Sequence, residues 1–169
     1  ICKYEALDIL NCVFEKGYIS IEVLNERDTL GKTVLDVACH EKKIELVRVM
    51  LKDKRMKLGS GELNFEYCCF KLQIEMVMLF LQERKEQLKE RQVELGNFVL
   101  YCSKRANDSN EIQIEEINEF RKKLKVNEMF FIACASNDVS LVKYLILNQA
   151  IDVNFQVPWI KETALYRAC

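Results

Sequence analysis

The chain has one proline, one histidine, one tryptophan and five glycines in 169 residues. So little proline and glycine argues against a fold made of many tight turns and favours long helices with few interruptions. The lone histidine, His40, excludes a Cys2His2 zinc site, and no C-x-x-C pair is present to serve instead. Neither sign of charge dominates. With 25 basic and 26 acidic residues the formal net charge is -1, which gives no global attraction to nucleic acid or to an anionic membrane. Long apolar runs are missing too: Met76 to Leu81 is far short of a membrane span, and no signal peptide is visible.

Chemistry-bearing patterns are equally sparse. No phosphate-binding G-x-x-x-x-G-K-[ST] run occurs, and Gly59 to Glu62 has neither a preceding strand nor the required lysine, so it reads as a turn. Glu115 and Glu116 are neighbours of the kind found on a solvated helix. Cys39 beside His40 raises a thiol–imidazole idea, but adjacent residues of a helix do not face each other. The expectation is a chain without catalysis, cofactor, metal or small-molecule substrate.

What the chain does have is 50% apolar residues and eight cysteines. That is enough to bury a sizeable core as one domain or one continuous array. The phrase T-V-L-D-V-A-C, Thr33 to Cys39, returns 130 residues later as T-A-L-Y-R-A-C, Thr163 to Cys169. Cys39, Cys69, Cys102, Cys134 and Cys169 are separated by 30, 33, 32 and 35 residues, and each ends a short apolar run. After three of them comes a helical stripe with apolar residues at three- and four-residue steps: Lys43 to Leu51, Gln73 to Leu81 and Asp138 to Ile146. The reading is a helix-pair repeat of about 33 residues, its register marked by small buried side chains. Adjacent markers in such a stack lie about 10 Å apart, too far for a disulfide. Cys2, Cys12 and Cys68 carry no pattern beyond packing. Free thiols in this number imply a reducing compartment, the cytoplasm, with the nucleus also open.

These residues resemble the ankyrin repeat, a turn followed by two antiparallel helices. Its phrase G-x-T-P-L-H-x-A-A is approximated by Gly31 to Cys39 and by Lys161 to Cys169, and its second helix and ending by Leu141 to Asn154. The resemblance implies an all-α, helical-pair solenoid with degenerate repeats and short projecting turns. Its units are a partial one over 1–27, then 28–58, 59–91, 92–123 and 124–157, with the start of another over 158–169. Departures from the family are plain. Val34 and Ala164 replace its proline, Asp36 and Tyr166 its histidine, and Lys42 and Asn137 the glycine between the helices. At that turn asparagine takes a left-handed backbone at little cost, whereas lysine is more strained.

The middle of the chain is the least regular. From Gln73 the helix is expected to run on through Gln82 to Arg91, and Arg105 to Glu111 to lengthen a turn before Ile112 to Phe120. Ala6 to Gly17 reads as a striped helix closed by glycine. Both ends read as cuts through a longer array.

In the resembling family, turn tips and the first-helix face meet the partner. That implies partner contacts at Leu30, Lys32, His40, Trp159, Ile160 and Glu162, with Cys39 turned to the core. Trp159 reads equally as an interface anchor or as packing against the next turn. Lys42 to Lys57 carries seven positive and two negative charges. It can receive an acidic partner or a phosphoinositide head group, but the plainer reading is a solvated helix face. Asn154 resembles a site that asparaginyl hydroxylases modify, and such a residue ordinarily ties its turn by side-chain hydrogen bonds. The expected function is a protein-binding scaffold. The alternatives are an assembly region of a larger protein, such as the cytosolic part of a channel or a multidomain regulator, and an adaptor beside an enzyme domain. Another protein, or another region of the full-length chain, is the expected partner.

Overall fold

A computed structural model describes residues 9, 12–58, 64–108, 112–158 and 160–168. It is all-α, with no strand among the described residues and one isolated antiparallel bridge, Gln156 to Thr163. The helices are α1 (Ile21–Asn25), α2 (Val34–His40), α3 (Ile44–Lys52), α4 (Asn64–Phe70), α5 (Ile74–Glu83), α6 (Glu90–Asp108), α7 (Ile114–Arg121), α8 (Val126–Ala135), α9 (Val139–Asn148) and α10 (Ala164–Ala168). Residues 12–15 are also helical, and that segment gives way to Gly17 at φ +65°.

Three helix pairs, α2/α3, α4/α5 and α8/α9, pack within themselves. One turn joins each, built the same way. Lys42, Leu72 and Asn137 have φ of 54°, 51° and 57°, each three residues after a marker cysteine. Their amides donate to the carbonyls of Cys39, Cys69 and Cys134 at 3.1 Å. The next amides, of Lys43, Gln73 and Asp138, donate to Ala38, Cys68 and Ala133 at 2.9, 2.9 and 3.0 Å. This is the Schellman arrangement, which satisfies the last carbonyls of the first helix while reversing the chain. Lys42 is exposed and holds this strained backbone without glycine's freedom. Lys42→Gly is therefore expected to stabilise the fold by about 0.5 to 1 kcal/mol in urea denaturation, the relief of strain exceeding the added entropy of the unfolded chain.

The recurring heptapeptide also yields one local device. Thr33 and Thr163 cap α2 and α10, the hydroxyl oxygen of each accepting from the backbone N–H three residues on, of Asp36 and Tyr166, at 3.2 Å. In α2 the carboxylate of Asp36 answers by accepting from the Thr33 amide at 2.7 Å, closing a capping box.

First helices pack in succession: α2 on α4, α4 on α6, α6 on α8 and α8 on α10, while α3 packs on α5. The core runs through them as one cluster, from Phe14 and Leu35 through Phe70, Phe80, Phe98 and Phe131 to Val157 and Ala164. Cys39, Cys69 and Cys102 are buried in it, and Cys134 is half-buried. Cys169 lies outside the described residues. Cys68, which the spacing leaves without a role, is buried as well. The neighbouring Cys68 thiol, together with burial, pushes the Cys39 thiol well above its ordinary range.

Two expectations about the middle need correction. The helix begun at Ile74 does not continue into Arg91. It stops at Glu83, Arg84 leaves helical geometry at φ -138°, and a 3-10 turn (Lys85–Gln87) precedes α6. The cause is Arg84 itself. Its buried guanidinium donates to the carbonyls of Leu51 and Asp53, at the C-terminal end of α3. Nor does the expected turn begin at Arg105. Residues Arg105 to Asp108 extend α6, because Arg105 continues the buried stripe of Leu95, Phe98 and Cys102 and is tied to Asp138, and the rest of that stretch, 109–111, lies outside the described residues. Gly96 lets α6 pass close to its neighbours: a Cβ there would stand 2.7 Å from Phe65 Cζ and 3.2 Å from Leu81 Cδ1.

The chain also reaches back on itself. Phe131 of α8 meets Phe70 of α4 edge to face at 5.7 Å, and Lys71 pairs with Glu162 at 2.5 Å. The Arg167 guanidinium donates to the Lys71 carbonyl at 3.3 Å. In a strictly linear stack each unit touches only its neighbours, so these contacts bend the arrangement into a closed bundle face.

Candidate functional site

Two chain turns face each other across α2 and α4. The first is built on Asp28, whose carboxylate accepts from the amides of Leu30 and Lys32 at 2.8 Å, with Gly31 at φ +76°. In the second, the amides of Lys161 and Val157 donate to the carbonyls of Val157 and Glu162, at 2.9 and 3.2 Å. Between them lies a cleft of about 490 Å³, lined by Lys32, Asp36, His40, Asn64, Tyr67, Lys71 and Ile160.

Three residues expected to meet a partner, Lys32, His40 and Ile160, line this one cleft. Glu162 stands beside it, holding the ammonium of Lys71. Leu30 projects from the first turn, 77% exposed. Trp159 lies outside the described residues.

Sequence reasoning missed Asn64, Tyr67 and Lys71. Tyr67 lies against His40, ring centroids 5.3 Å apart and planes 20° from parallel, so the imidazole and phenol form one flat wall. Burial raises the Tyr67 hydroxyl's pKa, and nearby Cys68 and Glu162 add to the shift. The position after the marker cysteine is exposed His40 in α2 but buried Phe70 in α4, because Phe131 covers Phe70. The cleft lining on this side is therefore Tyr67 of α4 and Lys71 just after it, and the heptapeptide pattern carries no signal of either.

Asn64 is the anomaly. It is 5% exposed, and neither its side-chain nitrogen nor its oxygen has a hydrogen-bond partner. Buried polar atoms are nearly always paired, and an unpaired one carries its full desolvation penalty. Asn64→Leu is accordingly expected to raise stability by about 1 kcal/mol, read as a higher thermal midpoint. A fall of similar size would mean that the carboxamide is already satisfied in the free protein.

The remaining expectations fall elsewhere. Within Lys42 to Lys57, Arg48 pairs with Glu45 at 3.4 Å and Arg55 with Asp53 at 2.6 Å. The turn at Asn154 is tied by its backbone amide donating to Asp152 Oδ1 at 3.0 Å, in place of the side-chain bonds expected of Asn154. Among the described residues no group of three or more His, Cys, Asp or Glu could hold a metal. Among them, too, no helix is long and apolar enough to cross a membrane. Comparison with protein families, curated proteins and solved structures gives no match to the chain.

Proposed function

We propose that the chain is a non-catalytic, protein-binding module, a diverged ankyrin-like array whose last unit folds back toward the unit over 59–91. It uses the cleft between its two opposed turns to hold a segment of another protein. One observation carries this reading: residues far apart in sequence, Lys32, His40, Tyr67, Lys71 and Ile160, converge on one open cleft. The repeated Schellman turns and the succession of first helices support the array. The ion pair between Lys71 and Glu162 supports the closure, since it is 21% and 16% exposed and ties the last turn to α4.

The test is capture from cell extract by the 169-residue chain, beside a variant carrying Lys32→Glu and Ile160→Ala. Lys32 and Ile160 are half-buried and Ile160 packs against the core, so the thermal midpoint of the variant is measured first and capture is compared well below it. A partner retained by the parent and lost by the variant is the expected result. Capture that is identical for both would move the binding surface away from this cleft.

A further inference from the structure

The orphaned carboxamide of Asn64 identifies the kind of segment that the cleft takes. This inference rests on the protein-binding reading above and makes it specific. Asn64 carries two N–H donors and a carbonyl acceptor, unpartnered and closed to water in the free protein, so its carboxamide must turn toward the cleft as an occupant seats and can then present one N–H and the oxygen side by side. An occupant that satisfies both must offer an acceptor beside a donor. A phosphate or carboxylate offers acceptors only, an ammonium donors only, and an alkyl group neither. A residue in extended backbone conformation offers both, because its own N–H and C=O point to the same side of the strand.

The rest of the lining sharpens the choice. Asp36 is occupied by the hydroxyl and amide of Thr33, and Lys71 by Glu162. Among the described residues Lys32 has no carboxylate partner, which leaves a positive charge for an acidic side chain. The stacked rings of His40 and Tyr67, with Ile160, offer an apolar wall to an adjacent side chain. A purine also carries a donor beside an acceptor that asparagine can read. A nucleotide, however, would bring phosphates to a lining with only one unpartnered cation and with the carboxylate of Asp36.

We propose that the cleft binds an extended, acid-containing peptide segment, and that Asn64 clasps one of its residues through a pair of backbone hydrogen bonds. The Nδ2 group donates to that residue's carbonyl, and Oδ1 accepts from its N–H. Lys32 meets the acidic side chain.

The experiment is selection of binders from a displayed random peptide library on the whole 169-residue chain. The best peptide is then titrated by fluorescence anisotropy. The titration compares the parent chain, Asn64→Leu, Lys32→Glu and Ile160→Ala, and also uses peptides in which each backbone amide in turn is replaced by an ester. The expected result is a single ester position that weakens binding to the parent by about tenfold and has no effect on Asn64→Leu, which itself binds about tenfold or more weakly. Lys32→Glu should select against acidic peptides. The ester series leaves the protein untouched, so it stands even if a variant misfolds. Equal binding by the parent and Asn64→Leu, or an ester series without a special position, would overturn the Asn64 clasp while leaving a protein-binding cleft in place. Binders indifferent to both Lys32→Glu and Ile160→Ala would overturn the cleft reading itself. Failure to select any peptide, or Asn64-dependent binding of adenosine alone, would overturn the peptide proposal.

Discussion

Arg91→Met should destabilise the fold by about 3 to 5 kcal/mol near neutral pH, the usual cost of removing one partner from a buried ionic group. Arg91 stands at the start of α6, one third exposed, and reaches between two carboxylates that are almost wholly buried. Its Nη1 donates to Glu66 Oε1 on α4 at 2.9 Å and its Nη2 to Glu128 Oε1 on α8. One cation thus serves two anions from helices 62 residues apart in sequence. Without it, both buried carboxylates lose their shared cation. One control separates this electrostatic cause from lost packing. Adding Glu66→Gln and Glu128→Gln to the Arg91→Met chain should recover most of the loss, because the two buried charges are then gone. Urea denaturation of the parent, the single variant and the triple variant measures all of this. An Arg91→Met chain within 1 kcal/mol of the parent would show that α4, α6 and α8 are not joined through this group.

The second large effect is expected at Asp138. Its Oδ2 accepts from Arg105 Nε at 2.9 Å in a pair whose side chains are 7% and 4% exposed. Its Oδ1 accepts from the Leu141 amide at 3.0 Å and so caps α9. Asp138→Ala removes both functions, leaving the guanidinium buried without its carboxylate and the first turn of α9 without its acceptor. The expected loss is about 4 kcal/mol, most of it from the buried charge and about 1 kcal/mol from the cap. Asp138→Asn keeps a capping oxygen and should fall between the parent and the alanine variant. Adding Arg105→Met to Asp138→Ala should cost less than Asp138→Ala alone, since nothing charged is then stranded. Strict additivity of the two single changes would contradict the pairing.

The same pair shows where sequence reading reached its limit. The turns at Lys42 and Asn137 were legible through the resemblance to the ankyrin unit, whose inter-helix glycine falls at those positions, and because such a turn involves only nearby residues. The burial of Cys39 and exposure of His40 were legible for the same reason: both follow from position on one short helix. Arg105 sits three residues after its marker cysteine, where Lys42 and Asn137 sit after theirs, yet it remains helical. Its fate is decided by Asp138, 33 residues away, and no local pattern encodes that partner. The end of α5 is a similar case, since Arg84 is drawn out of the helix by carbonyls near Leu51 and Asp53. The candidate cleft was half legible. Turn-tip and first-helix positions pointed to Lys32, His40 and Ile160, whereas Asn64, Tyr67 and Lys71 entered it only because α8 and the last turn fold back on α4.

The most direct test of the cleft as the binding surface is amide chemical-shift mapping on the isotope-labelled chain, titrated with the library-selected peptide. Perturbations concentrated at Lys32, His40, Asn64, Tyr67, Lys71 and Ile160 are the predicted result. Shifts centred instead on the basic stretch from Lys52 to Lys57, with the cleft residues unmoved, would contradict it.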